Sequence, residues 1–390
     1  MNKVELLNIA KEYGSPTFVF DLDVLSDRMK EIKEIVGQKI SLCYSIKANP
    51  FLIDAMTQLT EKLEVCSPGE LNICIARGVD MKSIIFSGVN KTAVDVKKAV
   101  ECDLGIYTAE SMQHLNLLNA EALSQGKVVP VLLRLTSGNQ FGMDEAVLTQ
   151  VVKDRRLYKG VEIKGVHFFS GTRKKKTAEN EKEIDYVLSF MDKIEAEEGF
   201  RLEKLEYGPG LPFPYFANED FSDTLRPLKE ALPSLQKAAD KYELTIEMGR
   251  FYASSCGYYL TSIVDVKTNK DINYCIIDGG INHVNYYGQT LAMKLPVISH
   301  YPEKSGEMKE WAICGSLCTA ADLLVRKYPF TDLAIGDLLV FENIGAYSIT
   351  EGIYLFLSRQ MPRVILYSKD TGAVMVRDFY NSDILNTIRE

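Results

Sequence analysis

Short apolar runs recur along the first two thirds of the chain, separated by amphipathic stretches. The runs are ISLCYS, LEVCS, SIIFSG, LGIYT, VPVLLRL, IKGVHFF, LEKLEYG and ELTIEMG. Most are rich in Val, Ile, Leu and Tyr, and all are short enough for buried parallel strands. Helical patterns lie between them, among them PFLIDAMTQLTEK, SPGELNICIARG, TAVDVKKAVE, AESMQHLNLLNAEALSQG and AENEKEIDYVLSFMDKIEAEEG. Some carry boundary signals: Ser67-Pro68 opens one helix with Glu70 in its first turn, and Gly78 follows it. Eight strand–helix units in a row before residue 250 predict a closed (β/α)8 barrel, since an open doubly wound sheet fits eight consecutive units less well.

The texture changes after residue 250. YYLTSIVDVK, INYCIIDGG, EWAICGSL, DLLVFENIG and RVILYS follow one another with turn residues between and few helices, the pattern of an antiparallel β domain. PTFVFD at 16–21 is also strand-like and is expected to pair with these strands. The predicted organisation is a barrel over 24–250 and a β domain built from 1–23 and 251–390.

Composition narrows the classes. Of 390 residues 46% are hydrophobic and 25% charged, a globular balance that excludes a disordered or fibrous chain. No apolar run reaches the ~18 residues of a membrane span, and the amphipathic N-terminus lacks the apolar core of a secretory signal. A cytoplasmic protein with no membrane partner is the expectation. The net charge of −8 argues against a nucleic-acid binder. The basic run Arg173–Asn180 reads as a solvated loop leading into a helix, with an anion-binding role as the alternative. The eight cysteines are irregularly spaced, with no C-x-x-C and no H-E-x-x-H, so reduced thiols and no metal site are expected.

Barrels place their chemistry at the C-terminal ends of strands. Read there, the chain offers Lys47 in YSIKANP, Glu64 in LEVCS, Arg134 in VLLRL, His167 and Ser170 in HFFSG, Gly208-Pro209-Gly210, and Glu247 with Arg250 in EMGR. A buried lysine loses its proton readily and captures carbonyls as a Schiff base, although a surface lysine gives the same letter. The glycine turn is either a plain turn or a phosphate cradle. His167 is either a core histidine or a functional ring, and Glu247 with Arg250 either a surface ion pair or part of a site. No G-x-G-x-x-G follows the first strand and no G-x-x-x-x-G-K-[ST] occurs, which disfavours dinucleotides and nucleoside triphosphates. An aldehyde-capturing lysine, a phosphate cradle, a flat partner and a carboxylate for a pyridine nitrogen together describe pyridoxal 5'-phosphate.

The ordered set YSIKANP, EVCSPGEL, HFFSG, YGPGLPFPY, EMGR, CGSLCTAAD and GAYS resembles the fold-type III pyridoxal-phosphate decarboxylases, which act on ornithine, arginine or diaminopimelate and are relatives of alanine racemase. The resemblance implies an alanine-racemase-like barrel and an α-amino-acid decarboxylase. It also implies roles. Lys47 takes the cofactor, His167 stacks on its ring and Glu247 pairs with the pyridine nitrogen. Ser170, Gly208, Gly210, Arg250 and Tyr347 surround the phosphate. Glu64 takes a place held by an aspartate, supported by Arg134. Cys318 reprotonates Cα after CO2 leaves, and in relatives its segment crosses a homodimer interface, so that sites are shared. Thr319, Asp322 and Tyr286 are candidate substrate contacts. Four departures stand out: Thr319 where the family has an acid, no arginine after DGGIN at 278–282, Pro209 in the phosphate turn, and Phe169 for a glycine. They point away from ornithine and diaminopimelate toward a modified or carrier-linked amino acid. An amino-acid racemase on the same scaffold and a catalytically silent decarboxylase-like regulator are the alternatives; the cysteine segment speaks against the first, and joint retention of Lys47, Glu247, Arg250 and Cys318 against the second.

Overall fold

A computed structural model describes residues 1–174, 177–285 and 292–388. The chain forms two compact units, one of residues 29–213 and 223–251, the other of 1–28, 214–222 and 252–390.

A first strand, β1 (Thr17–Asp21), belongs to the second unit; the next eight form a closed parallel barrel in chain order. They are β2 (Ile40–Ser45), β3 (Lys62–Val65), β4 (Ile84–Phe86), β5 (Ile106–Ala109), β6 (Val129–Arg134), β7 (Val161–Phe169), β8 (Lys204–Gly208) and β9 (Glu243–Met248). The apolar runs form strands because neighbours and helices cover both faces, and β2 pairs with β9 to close the ring. Helix starts follow the sequence signals. Ser67 caps the helix Pro68–Ala76 by accepting from the Glu70 amide, and Thr92 with Asp95 forms a capping box.

Register decides which side chains meet. Ser45 lies beside Glu64, Arg134 beside His167, His167 beside Glu206, and Cys43 beside Glu247. Register neighbours on adjacent strands point to the same face of the sheet.

The second unit adds β10 (Gly257–Asn269), β11 (Ile272–Ile277), β12 (Ile298–Tyr301), β13 (Lys309–Cys314), β14 (Leu323–Phe330), β15 (Leu338–Glu342), β16 (Arg363–Ser368) and β17 (Gly372–Arg377). As expected, PTFVFD joins them: β1 pairs antiparallel with β10. The sheet is mixed, however, because β1 runs parallel to β16 and β11 parallel to β13. Each parallel pair joins strands far apart in sequence, which a scan for hairpins does not register. Phe18, Tyr259 and Phe341 pack as a buried aromatic core. Among the described residues no helix is long and apolar enough to cross a membrane.

Candidate active site

Four of the barrel residues singled out above converge. Lys47 stands in a single helical turn directly after β2, its side chain 41% exposed at the strand ends. Its ammonium lies 2.9 Å from Glu64 Oε2, 3.6 Å from Glu247 Oε1 and 3.4 Å from Cys66 Sγ. Glu247 also accepts a hydrogen bond from Ser45 Oγ at 2.7 Å, and His167 Nε2 lies 3.3 Å from its other oxygen. Glu64, His167 and Glu247 are buried. The Glu247 and Arg250 side chains are both buried, not a surface ion pair.

Electrostatics separates the carboxyls. Burial alone raises the Glu247 carboxyl, but the Lys47 ammonium and the His167 ring outweigh it and hold Glu247 well below the usual range. Glu206 was not picked from the sequence. It sits one strand away on β8, buried, and burial together with the charges of Glu247 and Glu64 pushes it well up. Its position two residues before Gly208, beside His167 on the adjacent strand, was the available signal. The Cys66 thiol donates to Glu64 at 3.0 Å, and burial with the Glu64 charge raises its pKa.

Arg134 corrects an expectation. Its guanidinium pairs with Glu110 at 2.8 Å, just past β5, and lies over the Phe141 ring. Glu110 and buried Lys91 were missed because the ends of β4 and β5 were passed over. Burial lowers the Lys91 ammonium to about 8 despite the nearby Glu110 charge.

The loops after β7 and β8 meet. Gly210 adopts φ +61°, and a Cβ there would lie 2.1 Å from the Gly171 carbonyl, so only glycine fits. Gly208 is packed against Phe169, where a Cβ would lie 2.4 Å from the ring. The large Phe169 is thus accommodated by the missing side chain opposite. Ser170 Oγ donates to Glu183, which also accepts from the Tyr207 hydroxyl at 2.7 Å and pairs with Lys174 at 2.5 Å. Lys174 is nearly buried, so the basic run is not the solvated loop expected at that end. Asn180 holds the Pro209 carbonyl at 2.7 Å.

The remaining candidates lie in the other unit. Cys318 and Thr319 are exposed in the loop between β13 and β14. Asp322 is buried, and its carboxylate accepts from the backbone amides of Ile281 at 2.8 Å and Leu317 at 2.7 Å. It clasps two loops together, with Gly280 and Gly315 pressed against it. Tyr347 is half-buried with φ +67°. Tyr286 lies outside the described residues.

The donor set fits pyridoxal phosphate. It offers an amine reachable from the barrel mouth, an ionised carboxylate, a buried imidazole whose Nδ1 has no protein partner, and a glycine-lined turn beside a serine. Comparison with known proteins agrees. The family model for the pyridoxal-dependent decarboxylase, pyridoxal binding domain, matches residues 22–254. The L-glutamyl-[BtrI acyl-carrier protein] decarboxylase of Niallia circulans is 26% identical over 99% of this chain and 96% of its own length. The diaminopimelate decarboxylase of Methanocaldococcus jannaschii is 25% identical over 96% of this chain and 91% of its own. A crystal structure of diaminopimelate decarboxylase from M. jannaschii with L-lysine superposes with a TM-score of 0.86, covering 99% of this chain and 94% of that one at 24% identity. The chain therefore belongs to the pyridoxal-dependent decarboxylases, a family of amino-acid decarboxylases that use pyridoxal phosphate.

Proposed function

We propose that this decarboxylase removes the α-carboxylate of an amino acid whose distal group is neutral or joined to a carrier protein. The observation that carries the chemistry is the Lys47–Glu64–Glu247–His167 cluster at the barrel mouth. Bound pyridoxal phosphate supplies an aldehyde for the substrate amine and an electron sink for the pair left when the Cα–CO2 bond breaks. Lys47 Nζ, at the barrel mouth, would be the amine that holds the cofactor aldehyde. Glu247 keeps its negative charge and stabilises a protonated ring nitrogen, which strengthens the sink. His167, buried beside Glu247, would supply a flat partner for the ring. Ser170, Gly208, Gly210, Arg250 and Tyr347 would hold the phosphate, as the family resemblance implies, and Glu64 steadies the Lys47 ammonium. Cys318 gives its thiol proton to Cα after CO2 has left.

Two features support the substrate class. Thr319 offers a hydroxyl in place of an acid for a distal ammonium. Asp322, the neighbouring acid, is committed to two backbone amides. A buried ammonium left without a partner costs several kcal/mol. The similarity to an enzyme named for a carrier-bound glutamyl substrate points the same way. The test compares kcat/KM for free diaminopimelate, ornithine, lysine and arginine with carrier-linked glutamate. A value above ~10⁴ M⁻¹s⁻¹ on free ornithine or diaminopimelate would sink the substrate reading.

The working form is a homodimer with shared sites, and we place the protein in the cytoplasm. Ile353, Leu355, Phe356, Leu357, Ile384 and Leu385 are all exposed apolar side chains, and Asn386 ties the two segments by bonding the Leu355 carbonyl at 2.8 Å. Exposed apolar clusters mark association surfaces. Mixing Lys47→Ala and Cys318→Ala proteins should restore activity, because a mixed dimer rebuilds one site. No recovery after proven subunit exchange would mean each chain works alone.

A further inference from the structure

The barrel core holds more acid than the roles above use. Glu64, Glu206 and Glu247 are all buried in it, and the cations within reach are already engaged. Lys47 lies between Glu64 and Glu247, at 2.9 and 3.6 Å, and Arg134 is bonded to Glu110 at 2.8 Å. Glu206 is 1% exposed, and neither of its carboxyl oxygens has a hydrogen-bond partner. An ionised carboxylate in that place would be a buried charge without a partner, the costliest state available to it. One ligand atom each from His167, Glu206 and Glu247 lies within 4.8 Å of the others, so the acid sits beside the very pair assigned to the cofactor ring.

We infer that Glu206 is a neutral carboxylic acid and a positioning residue, whose O–H is the hydrogen-bond donor that backs the His167–Glu247 pair. The ligand atoms lie within 4.8 Å of one another, a gap that a rotation of the carboxyl or one bridging water can span. Two acids this close divide their protons unequally: one stays ionised and its neighbour stays protonated. The directions agree with that division. Burial, with the charges of Glu247 and Glu64, raises Glu206, while Lys47 and His167 hold Glu247 low against its own burial. The titratable groups facing Glu206 are His167 on β7, Glu247 on β9, Cys43 on β2 with Lys47 beyond it, Glu64 on β3 and Arg134 on β6. Among these only Lys47 and Arg134 favour its ionisation, and both are held by other carboxylates. The consequence is a fixed charge: Glu247 remains the anion presented to the ring nitrogen because Glu206 keeps the proton.

This inference rests on Glu247 being the ring-nitrogen partner, and its test separates the two. Infrared difference spectra of the cofactor-loaded protein without substrate, at pH 7, should show the carbonyl stretch of a protonated carboxyl. That band should vanish in Glu206→Gln and persist in Glu247→Gln. In turnover, Glu206→Leu fills the space but cannot donate, and kcat should fall about tenfold or more with a smaller change in KM, the scale of one hydrogen bond to a charged group. Glu206→Gln keeps an N–H donor and should recover most of that loss. Three results overturn the inference: no Glu206 band in the wild type, a Leu variant as active as wild type, or a Gln variant as damaged as Leu. Should the Leu variant fail to fold, the wild-type and Gln spectra decide alone. Normal turnover in Glu247→Gln would instead remove the ring-nitrogen role and leave the protonation of Glu206 standing.

Discussion

In the barrel unit, Lys47, Glu64, His167 and Glu247 sit on or just past strands hydrogen-bonded to neighbours on both sides, so backbone register alone brings them together. In the β unit, Cys318 and Thr319 sit in an exposed loop whose shape depends on one buried carboxylate, Asp322, and two backbone amides. The first region reaches its precision with buried charge; the second leaves the Cys318 thiol exposed and uses its buried charge to hold the loop. Substitutions in the barrel cluster should therefore cost chemistry more than stability, and substitutions in the clasp should cost stability more than chemistry.

The largest expected effect is at Lys47. Lys47→Ala removes the amine and should lower decarboxylation on the order of 10⁴-fold or more, within the range seen when a nucleophile is deleted. Borohydride treatment should then no longer fix cofactor to the chain. Cofactor still fixed to the variant chain by borohydride would break the assignment. Glu247→Gln comes next. The amide fills the same space without the charge, so turnover should drop roughly 10²–10³-fold at saturating cofactor, the scale of losing one preorganised electrostatic partner. Wild-type turnover would erase the difference between this carboxylate and its neighbours.

The same contrast explains what could be read from the chain. The eight strands were legible because each is a short apolar run buried on both faces, and the strand-end rule then placed Lys47, His167 and Glu247. Pairing among strands was less legible: β1 with β16 and β11 with β13 are parallel pairs between distant segments, and nothing local announces them. Glu206 escaped because a charged letter within a strand does not say which way it faces, and Glu110 and Lys91 because the ends of β4 and β5 were passed over. Arg134 was assigned to the support of Glu64, but the structure pairs it with Glu110. Asp322 looked like a substrate contact because it follows Cys318 closely; only the bonds to Ile281 and Leu317 reveal the clasp.

Asp322→Asn tests the other half of the comparison. The amide keeps the shape but turns one acceptor into a donor facing a backbone N–H. A loss of about 2–3 kcal/mol in unfolding free energy follows, the worth of a hydrogen bond to a charged group together with an unpaired amide. Borohydride fixation of cofactor on Lys47 should survive. A variant with native stability but no cofactor on Lys47 would mean that the clasp belongs to the chemistry after all.

The smallest effect concerns pH. His283 in the β unit is buried; its Nδ1 lies 2.8 Å from the Tyr259 hydroxyl and its Nε2 3.3 Å from the Gln360 carbonyl. Burial, with the nearby Arg377 and Arg359 charges, lowers it to about 4 against the pull of that carbonyl. The folded pKa thus lies below the unfolded value of about 6.5. Above pH 6.5 both states are neutral and the stability is fully present. As pH falls from there toward 4, the unfolded chain takes up a proton that the folded one refuses, and stability is lost, levelling off below about 4. At pH 5 the loss from this one ring is about 2 kcal/mol. In the barrel, His114 is also lowered to about 4, by burial and the Lys91 charge, so the acid slope has a source in each unit. Urea midpoints measured from pH 7.5 to 4.5 should show a shallower decline in His283→Gln than in wild type, with the His114 share remaining. An unchanged slope in His283→Gln would assign the acid sensitivity to the barrel and remove the β unit from it.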